Sequence, residues 1–197
     1  MTLLDLAQKR RSCYALNNQI PLTEEQLTDL VQTAVKHAPS AFNSQSSRVL
    51  ILLGEKHHAF WQLARNELKK IVPPDNWAPT QEKIAAFDKA HGTLLFFEDW
   101  TVVENLQMRF AAYKDNFPIW AYQANGMLEY LIWTALAEQG IGASLQHYNP
   151  LVDRAVQQKF NVPATWKLVA QMPFGTVTEP PAAKEFLPLS SRMRVEK

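Results

Sequence analysis

The feature that most constrains the fold is a helical stretch from about Pro118 to Gln139 that is apolar nearly all the way round. Pro118 suits the first turn of a helix, and Gly140 is placed to cap its end. The apolar positions include Ile119, Tyr122, Leu128, Leu131, Ile132 and Leu136. Because no face of such a helix prefers water, it must be buried on more than one side. The sequence therefore predicts a helix at the centre of a domain or in an interface between subunits.

The rest of the chain has the composition of an ordinary globular protein. Its 197 residues are 47% hydrophobic and 20% charged, with 20 Lys and Arg against 19 Asp and Glu. This length predicts a single domain over residues 1–197. Since the net charge is close to zero and the basic residues are scattered, nucleic acid and membrane surfaces are not expected as partners.

The cellular compartment is inferred from the lack of a membrane span, of a signal peptide and of paired cysteines. No apolar run reaches the roughly 18 residues of a membrane span, and the first residues lack the pattern of a signal peptide. The single cysteine, Cys13, excludes an internal disulfide and a Cys-based zinc site, and we expect it to be a small buried hydrophobe. Together these features predict a cytoplasmic protein.

The other periodic segments predict helices with few strands. Thr23 and Gln26 form a capping box ahead of an apolar helix face that ends at Pro39. Further predicted elements are strands at Val49–Leu53, Thr93–Phe97 and Leu168–Phe174, a helix from Phe60 to Ile71, and a loop over residues 72–80. The first two strands are expected to be central and covered on both faces, whereas Pro173 places the third at its end or at an edge. Without a regular βαβ alternation, this pattern favours an α+β fold.

The standard catalytic motifs are absent from the sequence. There is no GxGxxG, GxxxxGK[ST], GxSxG or HExxH. The adjacent His57 and His58 are expected to point to different sides of a helix, so no metal site is predicted. The candidate functional residues lie instead in three polar segments.

The first segment is Arg10, Arg11 and Ser12, at the expected end of the first helix. Guanidinium groups and a hydroxyl can hold a phosphate by charge-assisted hydrogen bonds. The alternative is a solvated helix C-terminus with favourable contacts to the helix dipole.

The second and third segments follow helices and carry polar side chains. In Pro39–Arg48, the amides of Asn43 and Gln45 can bind the edge of a planar heterocycle, and the alternative is a polar loop with Asx and Ser turns. In Gly140–Pro150, small residues allow a flat ligand to approach the backbone closely. The alternative for this segment is a helix cap, a short strand and a turn without any ligand.

Taken together, the three segments resemble the FMN-dependent nitroreductase family. The resemblance rests on RRS near the N-terminus, PSAFNSQ before the first strand, GIGASLQHYNP late in the chain and a Lys in the tail. The long helix, FPIWAYQANGMLEYLIWTAL, and QMPFG resemble a short branch that includes yeast fatty-acid-repression proteins and a bacterial copper-induced nitroreductase. The resemblance covers essentially the whole chain.

This resemblance implies an α+β fold with a central, mostly antiparallel sheet flanked by helices, in an intertwined homodimer that binds two FMN molecules at its interface. It assigns Arg10, Ser12 and Lys184 to the FMN phosphate and ribityl chain, with Arg11 adjacent. It assigns Pro39, Ser40, Ala41 and Asn43 to the segment from the other subunit, where Gln45 also lies, and Leu145, Gln146 and His147 to the reactive N5 edge of the flavin. The tail, about residues 179–197, is expected to pack on the partner subunit.

Three positions depart from the family pattern. Tyr14 stands where many relatives carry a basic residue, Ser47 where many carry Trp, and Phe186 where some carry Arg. For this reason the phosphate is expected to use Arg11 or Arg192 instead.

The resemblance implies an enzyme that takes a hydride from NADH or NADPH and passes it to a nitroaromatic or quinone in a ping-pong cycle. No catalytic side chain is predicted, since the flavin carries the chemistry. Two other functions are compatible with the sequence: a flavin-binding regulator or FMN store with little turnover, and a flavin-free helical interaction protein.

Overall fold

The computed structural model describes all 197 residues as three layers, a five-stranded sheet with helices on both faces. The helices are α1 (Leu3–Lys9), α2 (Glu24–His37), α3 (Gly54–Lys69), α4 (Trp77–Asp88), α5 (Trp100–Arg109), α6 (Phe117–Glu138) and α7 (Asp153–Phe160). The strands are β1 (Leu16–Asn17), β2 (Ser47–Leu53), β3 (Gly92–Asp99), β4 (Ile141–Ala143) and β5 (Trp166–Val177). No helix is both long and apolar enough to span a membrane.

All pairs of the sheet are antiparallel, in the order β1-β5-β3-β2, with β4 also paired to β5. The expected α+β class and antiparallel sheet are confirmed. The strand β3 is central, as expected, and residues 92–98 are all buried. The expectation that β2 is also central was wrong, since β2 pairs only with β3 and its other edge is unpaired in the subunit.

Two hydrophobic clusters hold the layers together. On one face, α2 and α6 pack on the sheet through Leu27, Val31, Leu128, Ile132, Leu94, Phe96 and Met172, among others. On the other face, α3, α4 and α7 pack through Phe60, Trp61, Phe87, Val156, Leu95 and Phe97, among others. The alternation of Leu94 to Phe97 between the two clusters explains why this strand is apolar on both faces.

The prolines account for two differences from the predicted elements. The predicted loop over residues 72–80 was wrong from Trp77 onward, where α4 begins. Pro79 is the third residue of this helix, where a missing N–H removes no intrahelical bond.

Pro173 lies inside β5 and neither ends the strand nor marks an outer edge. Its carbonyl accepts a hydrogen bond from the Ser144 N–H at 3.3 Å. Because the N and C=O of a strand residue point to the same side, the missing N–H of Pro173 also faces the segment after β4, and no bond to β3 is lost.

The helix caps follow the sequence closely. Thr23 accepts from the Gln26 N–H at 3.2 Å, and Gln26 accepts from the Thr23 N–H at 2.9 Å, which confirms the capping box. Gly140 adopts a φ of 77° directly after α6, the left-handed conformation expected of a helix cap. The predicted boundaries of the long helix are therefore correct to within about two residues.

Candidate functional site

The first polar segment follows α1 and packs against α6. The Arg10 guanidinium lies over the Trp133 ring, with its Cζ 4.3 Å from the ring centroid, and 5.8 Å from that of Tyr130. The Nε of Arg10 and the indole Nε1 of Trp133 are both buried and have no hydrogen-bond partner. Buried donors are normally paired, so these two nitrogens mark a place where an acceptor is missing from the isolated subunit.

The neighbours of Arg10 connect this segment to two other parts of the chain. Arg11 donates a hydrogen bond from its guanidinium to the Ala182 carbonyl in the tail. Ser12 forms a parallel bridge with Ala143, and the Cys13 N–H donates to the Ala143 carbonyl at 2.9 Å. The fold thus brings the first polar segment next to the third.

Cys13 is buried, as expected from the sequence. Burial raises the pKa of its thiol, and the hydrogen bond to Ala143 and the nearby arginines only partly oppose this effect. The neutral thiol is therefore a packing group, since a reactive cysteine needs a lowered pKa.

The third polar segment runs along the edge of β5. After β4, Gln146 forms an isolated antiparallel bridge with Gln171. Leu145 packs against the core on the α6 side of the sheet, Gln146 is buried, and His147 is exposed without any hydrogen bond. The helix cap, short strand and turn that explain this segment without a ligand are all present, and His147 is exposed beside them.

The second polar segment joins α2 to β2 in an unusual backbone conformation. Phe42, Asn43 and Gln45 have φ angles of 56°, 51° and 50°. The Ser40 hydroxyl accepts from the Gln45 N–H at 2.9 Å, and the Phe42 ring packs among Phe110, Phe117 and Trp120, at centroid distances of 4.8 to 6.3 Å. Left-handed backbone is costly for a residue as bulky as Phe, and the aromatic contacts compensate for this cost.

This second segment borders a cavity of about 530 Å³ between α2 and β2. Pro39, Ser40, Gln45 and Arg48 line it, whereas no residue of the first or third polar segment does. The size lies within the range of small-molecule sites.

The second segment is separated from Arg10 within one subunit. Phe42 contacts α6 at Phe117 and Trp120, whereas Arg10 contacts it at Tyr130 and Trp133. Tyr130 follows Trp120 by ten positions of the helix, about 15 Å along the axis at a rise of about 1.5 Å per residue. The part of a ligand that contacts Arg10 is therefore too far from the second polar segment of the same subunit to contact it as well. If both contact the same part of a ligand, the second segment must come from another subunit.

The tail residues assigned to the phosphate are exposed. Lys184 lies two residues after Ala182, whose carbonyl is held by Arg11, and its Nζ is 6.0 Å from the centroid of the Phe186 ring. Arg192 is exposed beside a short 3-10 turn over Leu189–Ser191. The part of the tail near Ala182 therefore lies against the first segment of its own subunit.

A buried acidic cluster under α6 was not found by sequence reasoning. Glu98 accepts hydrogen bonds on Oε1 from Ser47 Oγ at 2.5 Å and Asn125 Nδ2 at 2.8 Å. Its Oε2 and the Asn125 Oδ1 are buried without a partner. Desolvation, and then the charge of Glu98, raise the pKa of the buried Glu129 to about 7. The signal in the sequence was the presence of Asn and Glu inside an otherwise apolar helix.

The expectation that His57 and His58 point to different sides of their helix was wrong, since ligand atoms of both lie within 4.8 Å of each other and of Asp88. The rings of His57 and His58 have centroids 5.2 Å apart, and both contact Asp88 at the end of α4. His57 is buried, and its ring nitrogens lie 2.9 Å from the Thr93 hydroxyl and 3.2 Å from the Asp88 carbonyl. Burial lowers the pKa of His57 to about 4, so the neutral ring packs against a helix C-terminus, and both of its nitrogens are already used.

Comparisons with known proteins give a consistent result. A sequence model of the Nitroreductase family matches residues 7–176. The nitroreductase-like protein HBN1 of Saccharomyces cerevisiae is 36% identical over 188 residues, 94% of this chain and 93% of that protein. The structure of the nitroreductase CinD from Lactococcus lactis in complex with chloramphenicol superposes over 100% of both chains, with a TM-score of 0.91 and 42% identity.

A more distant structure shares the fold. It is a nitroreductase with bound FMN from Desulfitobacterium hafniense, with a TM-score of 0.71 and 16% identity over 98% of this chain and 97% of that one.

Proposed function

Because the chain belongs to the nitroreductase family, we propose that it binds FMN, accepts a hydride from NADH or NADPH and passes it to nitroaromatic or quinone acceptors. Donor and acceptor would use the same cleft in turn, in a ping-pong cycle. FMN, when bound, supplies the hydride chemistry, and the protein supplies position and electrostatics. The absence of a nucleophilic motif in the sequence agrees with this division.

The observation that carries the proposal is the environment of Arg10. Its buried Nε and the neighbouring Trp133 Nε1 are donors without acceptors, at the position where the resemblance expects the FMN phosphate. A phosphate has several strong acceptor oxygens and prefers guanidinium donors. The donor set therefore fits a phosphate-bearing cofactor.

Other residues near Arg10 complete this proposed grip. Ser12 contributes a hydroxyl, and Arg11 fixes the tail two residues before Lys184. Lys184 would then reach the phosphate from the tail, with Arg192 as a further basic group. Arg11 already donates to a carbonyl, so its contribution to the phosphate is expected to be smaller than that of Arg10.

The flavin ring is proposed to lie between two subunits. Leu145, Gln146 and His147 of one subunit would flank its reactive edge. Pro39, Ser40, Ala41, Asn43 and Gln45 would come from the partner, which agrees with the separation of about 15 Å between Phe42 and Arg10 contacts along α6. The cytoplasm, which keeps nicotinamide cofactors available, is the compartment we propose.

Identification of the cofactor tests the proposal. The purified protein should be yellow, and heat denaturation should release FMN that co-elutes with authentic FMN in chromatography. FAD is not expected, since the sequence has no Gly-rich pyrophosphate loop. A colourless protein that stays colourless after incubation with FMN would contradict the proposal and would favour a flavin-free interaction protein.

Steady-state assays test the activity. NADH or NADPH oxidation should accelerate when 4-nitrophenol, chloramphenicol or a quinone is added, because CinD from Lactococcus lactis crystallises with each of the first two compounds. A yellow protein without such turnover would favour the second candidate, a flavin-binding regulator or FMN store.

A further inference from the structure

One buried residue holds most of the segment that is proposed to flank the flavin. Gln171 lies in the middle of β5 and is fully buried, between Ala170 and Met172. An amide side chain in such a position is costly unless its polar atoms are bonded.

The backbone of Gln171 fixes the segment on one side of His147. The Gln146 N–H donates to the Gln171 carbonyl at 2.7 Å, and the Gln171 N–H donates to the Gln146 carbonyl at 2.9 Å. Gln146 is itself buried, and its Nε2 donates to Ser144 Oγ at 3.1 Å.

The side chain of Gln171 fixes the segment on the other side of His147. Its Oε1 accepts from the Tyr148 N–H at 2.7 Å, and its Nε2 lies 3.4 Å from Asn149 Oδ1. His147 has no hydrogen bond of its own. The position of His147 and its neighbours is therefore set by contacts that converge on one residue.

We propose that Gln171 is a positioning residue, which holds residues 145–148 in the geometry needed beside the reactive edge of the flavin. This inference rests on the proposed function. The Gln171 amide accepts from the Tyr148 N–H and donates to Asn149 Oδ1 at the same time, which an apolar residue of similar size cannot do. Catalysis is sensitive to small displacements, since a shift of about 1 Å can cost roughly a hundredfold in rate.

The variant Gln171→Met tests the inference because it keeps the volume and removes both side-chain bonds. We expect the rate constant of FMN reduction at saturating NADH or NADPH, measured by stopped flow, to fall at least tenfold. The dissociation constant of FMN should change less than threefold. Gln171→Glu keeps the acceptor for the Tyr148 N–H, so it should retain more of the rate than Gln171→Met.

The matched control is Met172→Leu, at the next and equally buried position of β5, where no side-chain hydrogen bond is involved. If Gln171 only stabilised the fold, both variants would have a lower melting temperature, and the FMN that stays bound would be reduced at the wild-type rate. Equal rates in Gln171→Met and Met172→Leu would overturn the inference. A colourless wild-type protein would instead overturn the proposed function, and with it this role.

Hydrogen exchange of the wild-type protein tests the same contacts without any variant. The Tyr148 amide should exchange about as slowly as the Gln171 amide, whereas the His147 amide, which has no acceptor, should exchange fast. A Tyr148 amide that exchanges as fast as that of His147 would mean that the side-chain bond does not hold the segment, and the inference would fail.

Discussion

At the scale of single residues, Arg10 has the clearest functional signature. Its guanidinium is oriented by the Trp133 ring before any ligand arrives, and its Nε is left without an acceptor. Such preorganisation lowers the entropic cost of binding, since the planar guanidinium already has one orientation before the ligand binds.

Replacing Arg10 by Ala should weaken FMN binding by about ten- to a hundredfold. A charge-assisted contact to a phosphate contributes about 1.5–3 kcal/mol, which corresponds to this range. Fluorescence titration of the apoprotein with FMN measures the change, with Arg154→Ala, at an exposed position of α7, as the control. An unchanged affinity would mean that Arg10 only ends its helix and does not bind the phosphate. The same titration of Arg11→Ala would then test the neighbouring residue.

The raised pKa of Glu129 predicts that the free energy of unfolding depends on pH. Its folded-state pKa is raised from the ordinary 4.5 to about 7, by desolvation and then by Glu98. Between these values the unfolded chain loses its proton while the folded protein keeps it, so stability falls as pH rises from about 4.5 to about 7. The loss is about 3 kcal/mol for this group.

Urea denaturation at several pH values checks this prediction. Glu129→Gln carries a neutral amide at every pH, so the difference in unfolding free energy between the wild type and this variant should follow the titration of Glu129. A difference that stays constant from pH 5 to pH 8 would show that Glu129 is ionised in the folded protein throughout.

At the scale of elements, the segment between α2 and β2 depends on α6 for its shape. Three of its residues have positive φ, and the Phe42 ring connects it to Phe117 and Trp120. Without that ring, the hydrogen bond between Ser40 and Gln45 remains, but no contact of residue 42 itself compensates for its left-handed backbone.

Phe42→Ala should therefore loosen the segment and weaken FMN binding by about three- to tenfold, since each aromatic pair contributes about 0.5–1.5 kcal/mol. Equilibrium dialysis with FMN measures this effect. Met108→Ala, at an exposed apolar position of α5, is the control and should bind FMN as the wild type does. Equal affinities of the two variants would mean that the segment keeps its shape without Phe42.

Some elements were predictable because one local signal dominates them. The capping box before α2, the apolar run of β3 and the glycine after α6 each specify an element by themselves. The helices α4, α5 and α7 were missed, since each has only one or two buried residues and α4 carries Pro79 in its first turn. The edge position of β2 was missed because a strand that is apolar on both faces indicates that both faces are covered. It does not indicate whether another strand pairs with each of its edges.

The candidate site was open to sequence reasoning only in part. Sequence reasoning singled out the three polar segments, whose role in binding stays a prediction, but it did not indicate that Ser12 pairs with Ala143, which is a long-range contact. It also missed Trp133 and Gln171, because an aromatic residue in an apolar helix and one amide in a strand have no local pattern. Residues that orient functional groups are found only after the chain is folded.

At the scale of the whole molecule, the surface of α6 remains incompletely covered in the subunit. Ile119, Tyr122, Met127 and Tyr130 are 57%, 47%, 45% and 43% exposed, although the opposite side of the helix is buried in the core. Phe186 and Leu187 of the tail are more than two-thirds exposed, at 76% and 70%. Exposed apolar side chains on one side of a helix are typical of an interface, which is one of the two positions that the sequence of α6 allows.

We therefore expect an obligate homodimer with α6 in its interface, and Met127→Glu should dissociate it. A carboxylate in the middle of the apolar face would have to be desolvated without a partner, which is strongly unfavourable. Light scattering at low micromolar concentration should report a dimer for the wild type and a monomer for Met127→Glu. Met108→Glu adds the same charge to α5, outside this face, and should stay dimeric.

We also expect FMN binding to depend on the dimer. If Arg10 of one subunit and Asn43 of the other bind the same FMN, dissociation removes half of the contacts, so Met127→Glu should lose its flavin together with its partner. Size-exclusion chromatography with detection at the flavin absorbance measures both properties in one run. A monomeric Met127→Glu that elutes with FMN and retains activity would contradict a site shared between subunits, because every contact with the flavin would then come from a single chain.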